Sequence, residues 1–263
     1  MTGLESLKTE STLYSKPESL ADRATHYCAG CGHGIVQRLI AEVVDELNIF
    51  DRAICVSSIG CTVTSYNYFN FDGLESAHGR APAVATAIKR CHPNLVPFTI
   101  QGDGDLASIG VAEIVHVCAR GENLTIIFVN NAIYGMTGGQ MAPTTLIDMY
   151  STSTPGGRKP DTSGYPIRMS EMLSTLDGPA YISRVSLHNP ANIRRAKKAI
   201  KLAFKTQLAG LGLSLVEILS PCPVNWKMDP VKALEFVAGK MTQQYPLGEF
   251  KISDAAALLK KDL

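Results

Sequence analysis

The sequence predicts an α/β protein: a parallel sheet with helices on both faces. Two observations carry that expectation. Short β-branched runs, apolar almost throughout, recur along the 263 residues, and segments with helical periodicity separate them. A strand that is apolar on both sides needs cover on both sides, and consecutive parallel strands need a crossover, usually a helix.

The elements follow in chain order. Residues 1–24 are polar and aperiodic and read as an N-terminal arm, docked or free. The main domain, 25–225, starts near His26. Gly34–Leu47 has helical spacing, and Ala53–Ser57 (AICVS) is the first strand. Pro82–Cys91 and Ala107–Arg120 read as helices around the strands Val96–Ile100 (VPFTI) and Leu124–Asn130 (LTIIFVN). Gly135–Tyr165 is dense in Gly, Thr, Ser and Pro, and loops of that length in a compact domain are functional or disordered. Tyr181–Val185 (YISRV) and Leu213–Leu219 (LSLVEIL) read as strands. Between them lies the helix Asn192–Leu208, which starts at Asn189-Pro190 and stops before Gly210 and Gly212. Residues 226–263 read as a helical extension, with helices around Pro230–Gln243 and Ser253–Lys261.

Composition removes several classes of function. Hydrophobic residues are 45% and charged residues 19%, an ordinary globular mix that excludes coiled coil, collagen and wholesale disorder. The 25 basic residues against 24 acidic ones leave a formal charge of +1, with no electrostatic case for nucleic acid. Apolar stretches such as Leu124–Val129 fall far short of the roughly 20 residues that cross a bilayer. The first residues hold acids among the bases and no apolar core, so they do not read as a secretory signal, and a cytoplasmic protein is expected. Seven cysteines, an odd number, then argue against a disulfide framework and for buried, catalytic or metal-ligating thiols.

The strand at 96–100 runs into Gln101-Gly102-Asp103-Gly104-Asp105 and then a helix. In an open parallel sheet, ligands bind beyond the carboxyl ends of the strands. Glycines let the backbone approach a phosphate, and a helix start offers unpaired N–H groups. A carboxylate at Asp103 fits beside phosphates if a hard cation bridges them. Alone, the segment is equally well an Asp-Gly turn and helix cap. The next strand ends in Asn130-Asn131, with Tyr134-Gly135 close behind. Asn131 lies 28 residues after Asp103, about one strand–helix–strand unit, so both side chains can reach adjacent strand ends. An amide oxygen suits Mg2+. The double Asn alone is a turn; the ordered pair of motifs is much more specific.

The second constellation is cysteine. His26-Tyr27-Cys28-Ala29-Gly30-Cys31-Gly32-His33-Gly34 contains C-x-x-C, which by itself also fits a redox pair. Cys61, in Ser58-Ile59-Gly60-Cys61, follows the first strand, and Cys222, in Ser220-Pro221-Cys222-Pro223, follows the strand at 213–219. Both fall at the same sheet edge as Asp103, so Cys28, Cys31, Cys61 and Cys222 can converge on zinc or on an iron–sulfur cluster. Spacing does not separate the two. Cys55, Cys91 and Cys118 sit inside strand or helix patterns and read as core.

The glycine–aspartate segment followed by the double Asn resembles the diphosphate motif of thiamine diphosphate enzymes. The resemblance implies Mg2+ held by Asp103, Asn131 and the carbonyl of Ile133. It also implies diphosphate contacts from Gly102, Gly104, Asp105, Tyr134, Gly135 and Met136. Taken together, HYCAGCGHG, SSIGC, AHGRAPAVATAIK, QGDGDLASIG, VNNAIYGMTGGQMAPTT and SPCPVN resemble the β subunit of 2-oxoacid:ferredoxin oxidoreductases, from His26 to about Asn225. That family implies a thiamine diphosphate-binding fold and one [4Fe-4S] cluster on the four cysteines. It also implies cofactor contacts from Ile59, Gly60, Cys61, Thr62, His78, Gly79 and Arg80. The implied activity is CoA-dependent oxidative decarboxylation of a 2-oxo acid, with electrons passed to ferredoxin. His78 and Arg80 are the leading candidates for contact with the reacting groups.

No Glu lies in a matching motif; Glu75 alone stands near His78. The family takes its activating Glu from a partner α subunit, so the isolated chain is expected to be inactive. γ and ferredoxin-like δ chains are further candidate partners. Some relatives carry a basic residue where this chain has Thr64, and Met136 occupies a pocket position in relatives. A neutral Thr and an apolar Met favour 2-oxoisovalerate or another branched-chain acid over 2-oxoglutarate. A chain that stops at Leu263 tilts the same way, because pyruvate-specific relatives often run longer. Arg158 and Lys159 leave two uses open, closing over coenzyme A or packing on a partner. The competing account is a non-redox thiamine diphosphate decarboxylase or synthase subunit with a structural zinc site.

Overall fold

Strands β1 (Ala53–Ser57), β2 (Gly73–Glu75), β3 (Val96–Gly102), β4 (Thr125–Asn130), β5 (Pro179–Ser186), β6 (Leu213–Leu219) and β7 (Gly248–Ile252) form one sheet. The computed structural model describes residues 15–262. The spatial order is β2–β1–β3–β4–β6–β5–β7. Strands β1 to β6 pair in parallel, in a register that sets Ile100 beside Ile127 and Val129 beside Ile218. The antiparallel edge strand β7 on β5 is an element that the sequence pattern does not announce. Its five residues are short and none is fully buried, so they carry no strand-like apolar run.

The helices are α1 (His33–Glu46), α2 (Ala81–Cys91), α3 (Val111–Ala119), α4 (Pro160–Ser163), α5 (Met169–Ser174), α6 (Pro190–Leu208), α7 (Pro223–Trp226) and α8 (Pro230–Phe236), with short turns beyond. On one face α1 and α6 bury Ile40, Val43, Ile200 and Phe204 against Phe98, Ile127, Val129 and Val216. On the other, α2, α3 and α5 bury Ala85, Ile114, Val117 and Leu173 against Ile126, Phe128 and Leu215. Neighbours in β4 thus point to opposite layers, which is why the strand is apolar throughout. Each fully buried Phe, Leu or Ile contributes about 1.5–3 kcal/mol. Asn189 caps α6: its side-chain oxygen accepts from the Asn192 N–H at 2.9 Å, with Pro190 at the first helical position.

Three details differ from the sequence pattern. The expected helix 107–120 is two pieces: a wide π turn over Asp105–Ile109, then α3. Gly110 ends the turn by donating to the Asp105 carbonyl at 2.8 Å. Cys55 and Cys118 are buried as core, but Cys91 is exposed as the last residue of α2. In the segment after Asn225, Trp226, Ala233, Val237, Met241 and Tyr245 pack with Ala132, Ile133 and Leu146 as a third apolar cluster. Of the polar arm, residues 1–14 lie outside the described residues. Further along, the Glu18 and Ser19 N–H groups donate to the Asp45 carboxylate, and Leu20 bridges to Phe69. Among the described residues, no helix is long and apolar enough to cross a membrane.

Candidate active site at the carboxyl ends of four strands

The chain leaves β1 for one side of the sheet and β3 for the other, which opens a crevice beyond their carboxyl ends. Four neighbouring strands, β1, β3, β4 and β6, deliver their following loops to this edge. These loops hold Ser58–Cys61, Asp103–Asp105, Asn131–Met136 and Ser220–Cys222. Two adjoining cavities result. The first, about 150 Å³, is lined by His33, Ile59, Gly60, Cys61, His78, the segment 102–105, Asn131 and the segment 133–137.

Asp103 is the anionic centre of this cavity. Its carboxylate accepts from the Gly104 N–H (3.0 Å), the Ile133 N–H (3.1 Å) and the Thr144 hydroxyl (2.7 Å). Burial pushes its carboxyl up to about 6, against the pull of those donors. Asn131 stands beside it, 5% exposed, with a buried side-chain oxygen that has no hydrogen-bond partner. A raised carboxylate next to an orphaned amide oxygen fits a hard cation with oxygen ligands.

Local backbone puts them there. Ala132 adopts a left-handed φ of 57°, unusual for a residue with a Cβ. Asn130 Oδ1 holds the Ala132 N–H at 3.1 Å, and the Thr145 hydroxyl donates to the Ala132 carbonyl at 2.6 Å. The first Asn of the pair is therefore structural: its Nδ2 also donates to Glu217 at 2.8 Å. The second faces the cavity.

Asp105 does different work from Asp103. One oxygen accepts from Ser58 Oγ (2.7 Å), the Gly79 N–H (2.6 Å) and His78 Nδ1 (2.5 Å); the other accepts from Gln101 Nε2 (2.5 Å). Its carboxylate thus orients His78 while Asp105 itself lines the cavity. The Gly79 loop, with φ 77°, lies directly on Gly110; a Cβ at Gly79 would sit 2.7 Å from the Gly110 nitrogen. The break at Gly110 and the position of His78 are one feature.

Of the expected contact residues, Thr62, Thr64, Gly79 and Arg80 lie outside the lining, whereas Tyr134 and Met136 belong to it. Arg80 pairs with Glu113 and donates to the Ile109 carbonyl at 3.3 Å. Thr62 is buried and donates to the Ser58 carbonyl, and Thr64 meets His26 Nδ1 at 3.1 Å. Tyr134 lies against Gly104 and donates to Ser108 Oγ at 2.8 Å. Met136, 55% exposed, stands at the mouth. Arg158 is 4% exposed, and its guanidinium donates to the carbonyls of Ala142, Pro143, Thr145, Ser163, Gly164 and Tyr165. It orders the long loop from inside and leaves Lys159 outside, paired with Asp148.

The second cavity, about 180 Å³, is lined by all four of Cys28, Cys31, Cys61 and Cys222, with His26, Tyr27, Asn131, Gly135, Met136 and the segment 223–225. No Lys or Arg is among these residues. Burial, with the neighbouring thiols adding to it, pushes the Cys31 thiol up to about 11 and Cys61 up to about 12. Burial also raises Cys222, opposed by the side-chain and backbone N–H groups of Asn225. His33 Nδ1 lies 3.1 Å from Cys31 Sγ; burial pushes this imidazole down to about 4, so it is neutral. At Gly135 a Cβ would stand 3.2 Å from Cys61 Sγ and 3.7 Å from Cys222 Sγ. Four thiols lining one cavity with no Lys or Arg among them fit a group that brings its own positive charge. Among the described residues, no group of three or more His, Cys, Asp or Glu side chains is already gathered to hold a single metal ion.

Sequence reasoning missed Thr144, Gln101, Ser58 and Asn225. The first three act as ordinary hydroxyl or amide donors with no diagnostic spacing. Asn225 sits inside the quoted SPCPVN segment, three residues after a cysteine, the one signal that points to it.

The chain resembles known proteins in sequence and in fold. Residues 58–218 match the family described as thiamine pyrophosphate enzyme, C-terminal TPP binding domain. The ketoisovalerate oxidoreductase subunit VorA of Methanothermobacter thermautotrophicus is 49% identical over 246 residues, covering 90% of this chain and 52% of that protein. The chain therefore spans about half the length of that relative. The 2-oxoglutarate synthase subunit KorB of Archaeoglobus fulgidus is 35% identical over 234 residues, covering 87% of this chain and 80% of that one. The 2-oxoglutarate:ferredoxin oxidoreductase from Magnetococcus marinus, solved with 2-oxoglutarate, coenzyme A and succinyl-CoA bound, superposes with a TM-score of 0.72 and 25% identity. It covers 96% of this chain and 91% of that one.

Proposed function

The chain belongs to the thiamine pyrophosphate enzymes and, among them, to the 2-oxoacid:ferredoxin oxidoreductase subunits; on that premise we propose that it is the cofactor- and cluster-bearing subunit of such an enzyme. The reaction is CoA-dependent oxidative decarboxylation of a 2-oxo acid in the cytoplasm, with electrons leaving through a [4Fe-4S] cluster to ferredoxin. One observation carries the reading: Cys61, Asn131, Gly135 and Met136 line both cavities. A cofactor in one and a cluster in the other share a wall, and electron tunnelling falls steeply with distance.

Asp103 and Asn131, with the Ile133 carbonyl, would hold Mg2+, and the 102–104 turn and the 134–136 segment would bind the diphosphate. Bound thiamine diphosphate supplies the electron sink that decarboxylation needs. Asp105 accepts from His78 Nδ1, which fixes the imidazole ring at the cavity wall. Cys28, Cys31, Cys61 and Cys222 would ligate the cluster. Met136 and the flanking Ile59 keep the mouth apolar.

The activating Glu comes from an α subunit. The cavity's two carboxylates are already committed, Asp103 to three hydrogen bonds and Asp105 to four. A cavity of about 150 Å³ is also well below the roughly 300 Å³ of a complete small-molecule site, as expected for half of a shared one. γ and ferredoxin-like δ chains complete the assembly. The favoured substrate is 2-oxoisovalerate, with 2-oxoglutarate next: Met136 brings no charge to the pocket, and identity to the ketoisovalerate subunits exceeds that to the 2-oxoglutarate ones.

The test is ferredoxin reduction by the chain with its co-purified partner and CoA. Rates with 2-oxoisovalerate above those with 2-oxoglutarate, and none from the isolated chain, agree with the proposal. Turnover by the isolated chain refutes the shared site. Decarboxylation without ferredoxin reduction favours the non-redox alternative.

A further inference from the structure

We propose that Asn225 is a positioning residue that raises the reduction potential of the cluster and braces the wall between the two cavities. The inference rests on the proposed function, in that it takes Cys222 as a cluster ligand. Asn225 Nδ2 lies 3.4 Å from Cys222 Sγ and 2.9 Å from the Gly135 carbonyl. Its two amide hydrogens are thereby divided between a sulfur of the second cavity and the backbone of the loop that closes the first. The next residue continues the strap: Trp226 Nε1 donates to the Asn131 carbonyl at 3.1 Å. The turn is closed by the Trp226 N–H on the Cys222 carbonyl at 3.0 Å. Five residues, 222–226, thus touch a cluster ligand, the shared wall and the backbone of the Mg2+ ligand.

Asn suits this place better than its isosteres. Two planar N–H donors serve two acceptors that point from different elements; an Asp would turn lone pairs on both, and a Leu would offer nothing. An N–H donor on a thiolate withdraws charge from the sulfur. That favours the reduced cluster, which carries one electron more, so the bond raises the potential.

The experiment is redox titration of the cluster in the anaerobically purified complex, comparing wild type with Asn225→Leu and Asn225→Asp and measuring iron and sulfide in each. Both variants should keep wild-type iron and sulfide. At the wild-type midpoint, their reduced-to-oxidised ratio should fall about tenfold, a downward shift of about 59 mV for a one-electron couple. Full clusters at an unchanged potential overturn the proposal and leave the proposed function intact. Loss of the cluster from both variants also overturns it, in favour of a scaffolding role. A wild-type complex without iron and sulfide overturns the proposed function, and this inference with it.

Discussion

Two buried polar constellations share this sheet, and only one is complete. At the β5–β6 pair, Arg184 and Glu217 are both fully buried. Arg184 Nε donates to Glu217 at 2.8 Å, and its Nη atoms reach Glu171 and the Pro246 carbonyl. Glu217 takes further bonds from Asn130 and Ser170, and the guanidinium lies 4.7 Å from the Phe250 ring centre. Every charge there has a partner within the chain. At the carboxyl ends of β3 and β4, Asp103 is pushed up by burial and Asn131 keeps an orphaned oxygen. The four thiols line a cavity with no Lys or Arg. A closed network stabilises a fold, whereas an open one is finished by something bound.

Breaking the closed network is expected to have the largest effect. Arg184→Met strands Glu217 as a buried, unpaired charge and should cost about 3–5 kcal/mol in urea unfolding, with little direct effect on cofactor affinity in what remains folded. Asp103→Asn should do the reverse. It should weaken binding of Mg2+–thiamine diphosphate by about 100-fold, or about 2.7 kcal/mol by calorimetry, and shift the unfolding midpoint far less. Equal stability losses in the two variants would erase the distinction between the networks.

Smaller perturbations sharpen the comparison. Thr144→Val removes the hydroxyl that donates to Asp103 and should cost about 1 kcal/mol of stability. Acid should loosen the closed network through Glu171. Burial raises the Glu171 carboxyl, but Arg184 outweighs it and holds it below the usual carboxylate range. The stability this contributes is present above the ordinary Glu value of about 4.3 and is lost as pH falls through the lower folded value. With Glu171 partly exposed, the loss should be a few tenths of a kcal/mol, and absent in Glu171→Gln.

The two constellations were unequally legible in the sequence. The open one is written in short motifs, because strand ends and their following turns are contiguous: QGDGD, VNNAIYG and SIGC each carry a wall of the site in one stretch. The closed one is assembled from Glu171, Arg184 and Glu217, which no local pattern links. The same holds within the site. Asn130 and Asn131 are adjacent and chemically identical, and only the left-handed Ala132 separates a structural residue from one that faces the cavity. In the sequence Arg158 leaves coenzyme A and a partner chain equally open, yet six carbonyls of its own loop fold around it. Parallel pairing of the strands was legible from their unbroken apolar character, but the edge strand β7 has none and joins the sheet only through β5.

The central claim is that the open constellation holds both thiamine diphosphate and an iron–sulfur cluster. It is tested most directly by iron, zinc and acid-labile sulfide analysis of the anaerobically purified protein, with visible spectra before and after dithionite. The account predicts about four irons and four sulfides per chain and bleaching on reduction. One zinc and no sulfide would contradict it and reduce the four cysteines to a structural staple.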